Sequence, residues 1–145
     1  MGIFDIFKKS NNKNRNLTNI CELNYENVEK WLDDIFIKKL PDNIIAFNFN
    51  LYEDEDNKWS IELIGSDKYD PNNDDWACSE IFTTRNNPFV FSIVRDWNEI
   101  LNEVKSIISI YLNTGKYNII LKSSNAISIG FVDGDLVYLY RKGVN

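Results

Sequence analysis

Carboxylates are the abundant side chains here with acid–base or ligand chemistry. The chain has 22 Asp and Glu, 16 Lys and Arg, and no His. Lack of imidazole removes the commonest general base and the commonest metal ligand together. A glycosidase needs two carboxyls roughly 5–10 Å apart across a cleft. Asp54, Glu55 and Asp56 instead follow one another in EDEDNK, which reads as a loop tip where neighbouring side chains diverge. The stretch from Asp67 to Asp75 offers Asp67, Asp70, Asn72, Asn73, Asp74 and Asp75, hard oxygen donors that suit calcium. Its spacing lacks the EF-hand order and its sixth-position glycine, so no metal is assigned. Gly115-Lys116 has neither the first glycine nor the Lys-Ser/Thr ending of a phosphate loop. No catalytic residue and no cofactor are assigned, and the chain reads as a non-enzyme.

Cys21 and Cys78 are the two cysteines. No secretory signal precedes them, so a reduced pair in the cytoplasm is expected, both acting as small buried apolar residues. No apolar run approaches the roughly 20 residues needed to span a bilayer.

Charge is uneven. The formal net charge is −6. Residues 1–18 carry Lys8, Lys9, Lys13 and Arg15 against Asp5, a net of +3. Residues 53–80 carry ten acids against Lys58 and Lys68, a net of −8. Such a field repels nucleic-acid phosphates, so no nucleic acid is expected as partner. It attracts a basic protein and speeds the encounter.

These side chains must be held by the elements around them. A helix is expected over residues 25–40, capped by Asn24, with Tyr25, Val28, Trp31, Leu32, Ile35 and Phe36 on one face. Alternation predicts strands at 45–52 and 59–63 around the acidic loop, and a third at 76–84. The run 89–94 is too short to type. Asp96 caps a second helix whose apolar face runs from Trp97 to Tyr111, and Gly115 is expected to close it in the left-handed conformation. Residues 117–122 read as either helix or extended chain. Asp133-Gly134 predicts a type I′ hairpin between two last strands. Trp31 and Trp97 read as core.

The expected fold class is α+β: an antiparallel sheet of about five strands against two main helices, in the order α-β-β-β-α-β-β. Residues 1–18 read as a flexible or amphipathic segment, with Ile3, Phe4, Ile6 and Phe7 as a stripe that could touch a membrane, and with a polar linker at 10–16. Residues 19–145 read as one domain.

Across residues 25–142 the chain resembles the small acidic α+β immunity proteins encoded beside bacterial polymorphic toxins. The resemblance lies in the absent catalytic set, the acidic loops with aromatics, and the closing GFVDGDLVYLY segment. It implies an inhibitor that covers a toxin domain. The surface so implied comprises Glu53, Asp54, Glu55, Asp56, Asp67, Tyr69, Asp70, Asp74, Asp75 and Trp76, with acids steering a basic partner and aromatics anchoring it. Core placement is the competing reading for Trp59 and Trp76. The two loops follow opposite ends of consecutive strands, which leaves one surface or two. The other readings are a membrane-associated adaptor using the N-terminal segment, and a carboxylate- or metal-dependent enzyme.

Overall fold

A computed structural model describes residues 17–144. The N-terminal apolar stripe and the 10–16 linker lie outside the described residues.

Helix α1 spans Tyr25–Phe36, and the Asn24 side chain accepts from Asn27 N at 2.8 Å. It stops short of the expected residue 40. Pro41 drives Leu40 toward extended backbone, and the last turn tightens, with Lys38 N donating to Ile35 O. Strands β1 (Ala46–Glu53) and β2 (Lys58–Ser66) form a hairpin in register from Ala46↔Ser66 to Glu53↔Trp59. Asp56 and Asn57 at its tip have φ of 59° and 57°, the left-handed pair that a tight hairpin favours.

The expected strand at 76–84 divides. A 3-10 turn covers Asp74–Cys78 and strand β3 only Glu80–Thr83. Asn73 and Asp70 side chains accept from the backbone two residues on, giving the chain local partners that compete with a ladder. The untyped run becomes strand β4 (Phe89–Ser92). Strands β3 and β4 share one edge of β2, β3 pairing at Ile64–Ser66 and β4 at Lys58–Ile61.

Helix α2 spans Trp97–Thr114 and its cap is as expected, Glu99 N donating to Asp96 Oδ1 at 2.8 Å. Gly115 is not left-handed: its φ is −67°. Space is the reason for glycine there, since a Cβ would lie 2.5 Å from the Tyr111 ring. Residues 117–122 hold the short helix α3 (Asn118–Lys122). Strand β5 (Ala126–Phe131) then lies parallel to β1, and β6 (Val137–Arg141) returns antiparallel. The sheet is therefore mixed and six-stranded, rather than antiparallel with about five. Its order is β3 and β4 end to end along one edge, then β2, β1, β5 and β6. Helices α2 and α3 carry the chain back along the sheet, which a parallel neighbour requires.

The Asp133-Gly134 turn also departs from expectation. Gly143 is the one described glycine at positive φ. Gly134 N donates to Phe131 O at 2.8 Å, closing a turn over Val132 and Asp133. With residues 132–136 separating the strands, the geometry of a two-residue loop is not needed.

The sheet has two unlike faces. Phe47, Phe49, Leu51, Trp59, Ile61, Leu63, Phe89, Phe91, Ile127 and Ile129 pack with Val28, Leu32, Ile100, Val104, Ile108 and Leu121 in the main core. Strand alternation sends Asn48, Asn50, Tyr52, Ser60, Glu62 and Ser128 to the other face. A small cluster there joins Ala46, Trp76 and Ala126 with Tyr69, Leu136 and Tyr138. No helix among the described residues is long and apolar enough to cross a membrane.

Candidate partner-binding surface

The acidic stretches sit at opposite ends of β2. Residues 53–58 join β1 to β2 at what we call the turn end, and residues 67–79 leave from the loop end. A nine-residue strand separates them by about 30 Å at roughly 3.3 Å per residue. The ten expected surface residues are thus split: Glu53, Asp54, Glu55 and Asp56 at one end, and Asp67, Tyr69, Asp70, Asp74, Asp75 and Trp76 at the other.

At the loop end the aromatics turn inward. Trp76, expected as a surface anchor, is only 3% exposed. Its indole N–H donates to Tyr138 OH at 2.9 Å, and its carbonyl accepts from Ser66 Oγ at 2.7 Å. Tyr69 is half-buried and meets Trp76 edge-on, with ring centres 5.6 Å apart. Sheet packing below a short turn gives the indole more apolar contact than a strand start would, so the core reading holds for Trp76. Trp59 is buried as well, its indole N–H on Ile93 O at 3.0 Å.

Several acids around this end have local structural partners. Asp67 accepts from Ser79 Oγ at 2.6 Å, and Asp70 accepts from Asn72 N at 2.9 Å. The Asp75 amide donates to Asn73 Oδ1. Asp74 lies 3.5 Å from Tyr138 OH, whose pKa is raised by burial first. On the neighbouring strands Arg85 bridges Glu62 at 2.9 Å and Glu80 at 2.7 Å. Burial works against the charge of Arg85, but the two carboxylates outweigh it and hold the guanidinium more firmly protonated than usual. Among the described residues no three of Cys, Asp and Glu converge as metal ligands.

The turn end is built differently. Three connections are tied together there: Ile93 N donates to Asn57 O at 3.0 Å, and Val132 N donates to Leu51 O at 3.2 Å. Residues 53–58, 93–97 and 131–136 carry seven acids against Lys58 and Arg95, a net of −5. Glu53, Glu55, Asp56, Asp96, Asp133 and Asp135 are exposed. Asp54 is half-buried and accepts from Ser60 Oγ at 2.9 Å. Arg95 pairs with Glu103 of α2.

Apolar surface is exposed at this same end. Trp97, read from its spacing as core, is 58% exposed, and Val94 is 81% exposed. The Trp97 ring stands edge-on to Phe131 at 6.2 Å, and Phe131 stands edge-on to buried Trp59 at 6.0 Å. As the first residue of α2, Trp97 lies beyond the turn where the helix reaches the core, so period alone misplaces it. Its position directly after the Asp96 cap is the sequence signal that could have found it.

Neither cysteine is in a disulfide; Cys21 is half-buried and Cys78 is exposed, against the expectation that both are buried. A groove of about 520 Å³ beside the end of α1, lined by Ile37, Leu40 and Phe82 with Lys38 and Lys39, contains none of the expected surface residues.

No family model matches this chain, and the searches of curated proteins and of solved structures found no match to it.

Proposed function

We propose that this chain is a non-enzymatic protein-binding domain, of the kind that neutralises a bacterial toxin, and that its turn end is the surface that does so. One observation carries the reading: an exposed tryptophan and an exposed valine lie in a set of lashed-together connections with a net charge of −5. Exposed carboxylates accelerate approach of a basic partner, while an aromatic anchor supplies the desolvated contact that holds it. The fit is to a partner with a cationic rim around an apolar recess, such as the cleft of a nuclease. The surface thereby narrows to Glu53, Asp54, Glu55 and Asp56 with Val94, Asp96, Trp97, Asp133 and Asp135. Asp67, Tyr69, Asp70, Asp74, Asp75 and Trp76 are left to structure.

The test is capture with the full chain as bait at low and high salt, beside Val94→Asp/Trp97→Ala bait. Support requires a basic protein held near one-to-one, weakened by salt, lost with the variant, and blocked in its own activity by the wild-type chain. Equal capture by both baits places the contact elsewhere.

A further inference from the structure

The sheet ends in two unlike edges. On the β3/β4 side the chain covers part of its own edge: Ile20 bridges Val90 in parallel, and Cys21 N donates to Val90 O at 2.8 Å. On the other side β6 pairs with β5, and among the described residues no strand lies along its outer side. An open edge offers backbone donors and acceptors that a further strand can take up. Strand β6 is short and half-buried throughout, and the register shift opposite Ile127 and Ser128 leaves Leu139 without a partner on β5.

Charge along this edge is sorted. Asp135 precedes β6 at the turn end and is exposed. Arg141 closes the strand at the loop end, and exposed Lys142 follows it. The Arg141 guanidinium lies 4.0 Å from the centre of the Tyr138 ring, a stacking that holds it along the strand. Acid therefore stands at one end, base at the other, and Val137, Tyr138, Leu139 and Tyr140 between them.

We propose that this edge docks a second copy of the chain, β6 against β6, antiparallel about a two-fold axis near Tyr138. Strand direction reverses between the copies, so Asp135 of each comes to lie beside Arg141 and Lys142 of the other. The extra residue at Leu139 moves the facing partner by one position without changing the sign of its charge. Such an edge is its own complement, which an isologous contact requires. Parallel alignment would set Asp135 against Asp135 and Arg141 against Arg141, and like charges directly opposite are destabilising. The β3 edge is a poorer partner, because Arg85 beyond its end is already held by Glu62 and Glu80. Pairing two equal edges uses both, so assembly closes at two copies. A bulged edge this short makes few ladder bonds, so the dimer is reversible and charge decides what binds. The two turn ends then point in opposite directions, each with its own Trp97 and Val94. Asp135 is the one residue shared with the proposed partner surface, and the dimer does not rest on that reading.

Sedimentation velocity of the full chain over a concentration series tests the proposal, beside Asp135→Lys and Lys142→Glu, two changes at exposed positions. The wild-type chain should pass from monomer to dimer mass, with amides of residues 136–142 gaining hydrogen-exchange protection over the same range. Either variant alone sets like charges face to face at both ends and should weaken the dimer about tenfold. Mixed in equal parts, the two variants restore opposite charges at both ends and should recover the wild-type affinity. Val94→Asp/Trp97→Ala should leave the dimer intact. A wild-type chain that stays monomeric to millimolar concentration overturns the proposal. So does a dimer that neither charge variant weakens, or a mixture no tighter than its components. Growth beyond two copies would show that a second, different edge takes part, and a dimer lost with Val94→Asp/Trp97→Ala would move the contact to the turn end; each also overturns it.

Discussion

The two ends of the sheet have nearly the same ingredients, acidic loops beside a tryptophan, and use them in opposite ways. At the loop end Trp76 is sealed against Ala46 and Ala126, and nearby acids accept from Ser79, Asn72 and the Tyr138 hydroxyl. At the turn end Trp97 projects into solvent and six carboxylates are exposed around it. Composition thus does not separate a structural acidic loop from a recognition surface. What separates them is the tryptophan: Trp76 is sealed in and its indole N–H is bonded to Tyr138, whereas Trp97 is 58% exposed.

The largest expected effect tests the inward end. Trp76→Ala removes a buried indole and should lower unfolding free energy by about 3–5 kcal/mol in urea denaturation. A loss of a few tenths would erase the distinction between the ends. Arg85→Ala comes next. It leaves Glu62 inside the protein without its guanidinium, a change that costs about 3 kcal/mol in comparable buried pairs. Glu62→Gln with Arg85 kept should cost less, and the difference between the two variants measures the buried charge.

Trp97→Ala sharpens the outward end. Stability should move by no more than about 0.5 kcal/mol, as for most surface changes. Partner affinity should fall by about 2 kcal/mol, roughly 30-fold, by titration calorimetry. A loss of stability comparable to that of Trp76→Ala would show that both tryptophans serve the core.

The smallest effect concerns neither end. Tyr111 donates to Asp33 at 2.7 Å between α2 and α1, and burial first, then this bond, raises its pKa. Unfolded tyrosine titrates near 10. Because the folded value is the higher, its contribution is complete below about pH 10 and fades as pH climbs toward the folded value. Stability measured from pH 9 upward should decline, and Tyr111→Phe should flatten that decline while leaving the contrast between the two ends unchanged.

Much of the fold is legible in local sequence. Asn24 and Asp96 cap where their side chains predict, because a cap is decided within three residues. The β1–β2 hairpin follows from alternation about a run of charge too dense to bury. What escaped is what distant residues decide. Nothing near Ala126 says that β5 will choose β1 as a parallel neighbour, since that choice belongs to how α2 and α3 return the chain. Gly115 illustrates a subtler miss: the glycine is required, but for room beside Tyr111 rather than for a left-handed turn. The candidate surface was half legible. Its carboxylates stand in the sequence, but the tryptophan beside them was hidden by a helical period that holds for the rest of α2 and fails at its first residue.

The parallel pairing of β1 and β5 also has a kinetic side. Ala46 meets Ala126, its partner eighty positions further along. Strand β1 is central, yet one flank cannot be satisfied until nearly the whole chain is available. Contacts this remote close slowly, because the entropy of the intervening loop is lost before the ladder forms. During synthesis, the β1–β2 hairpin must therefore wait with an open, apolar edge. The dense charge of EDEDNK at its tip is well placed to discourage two such waiting chains from joining.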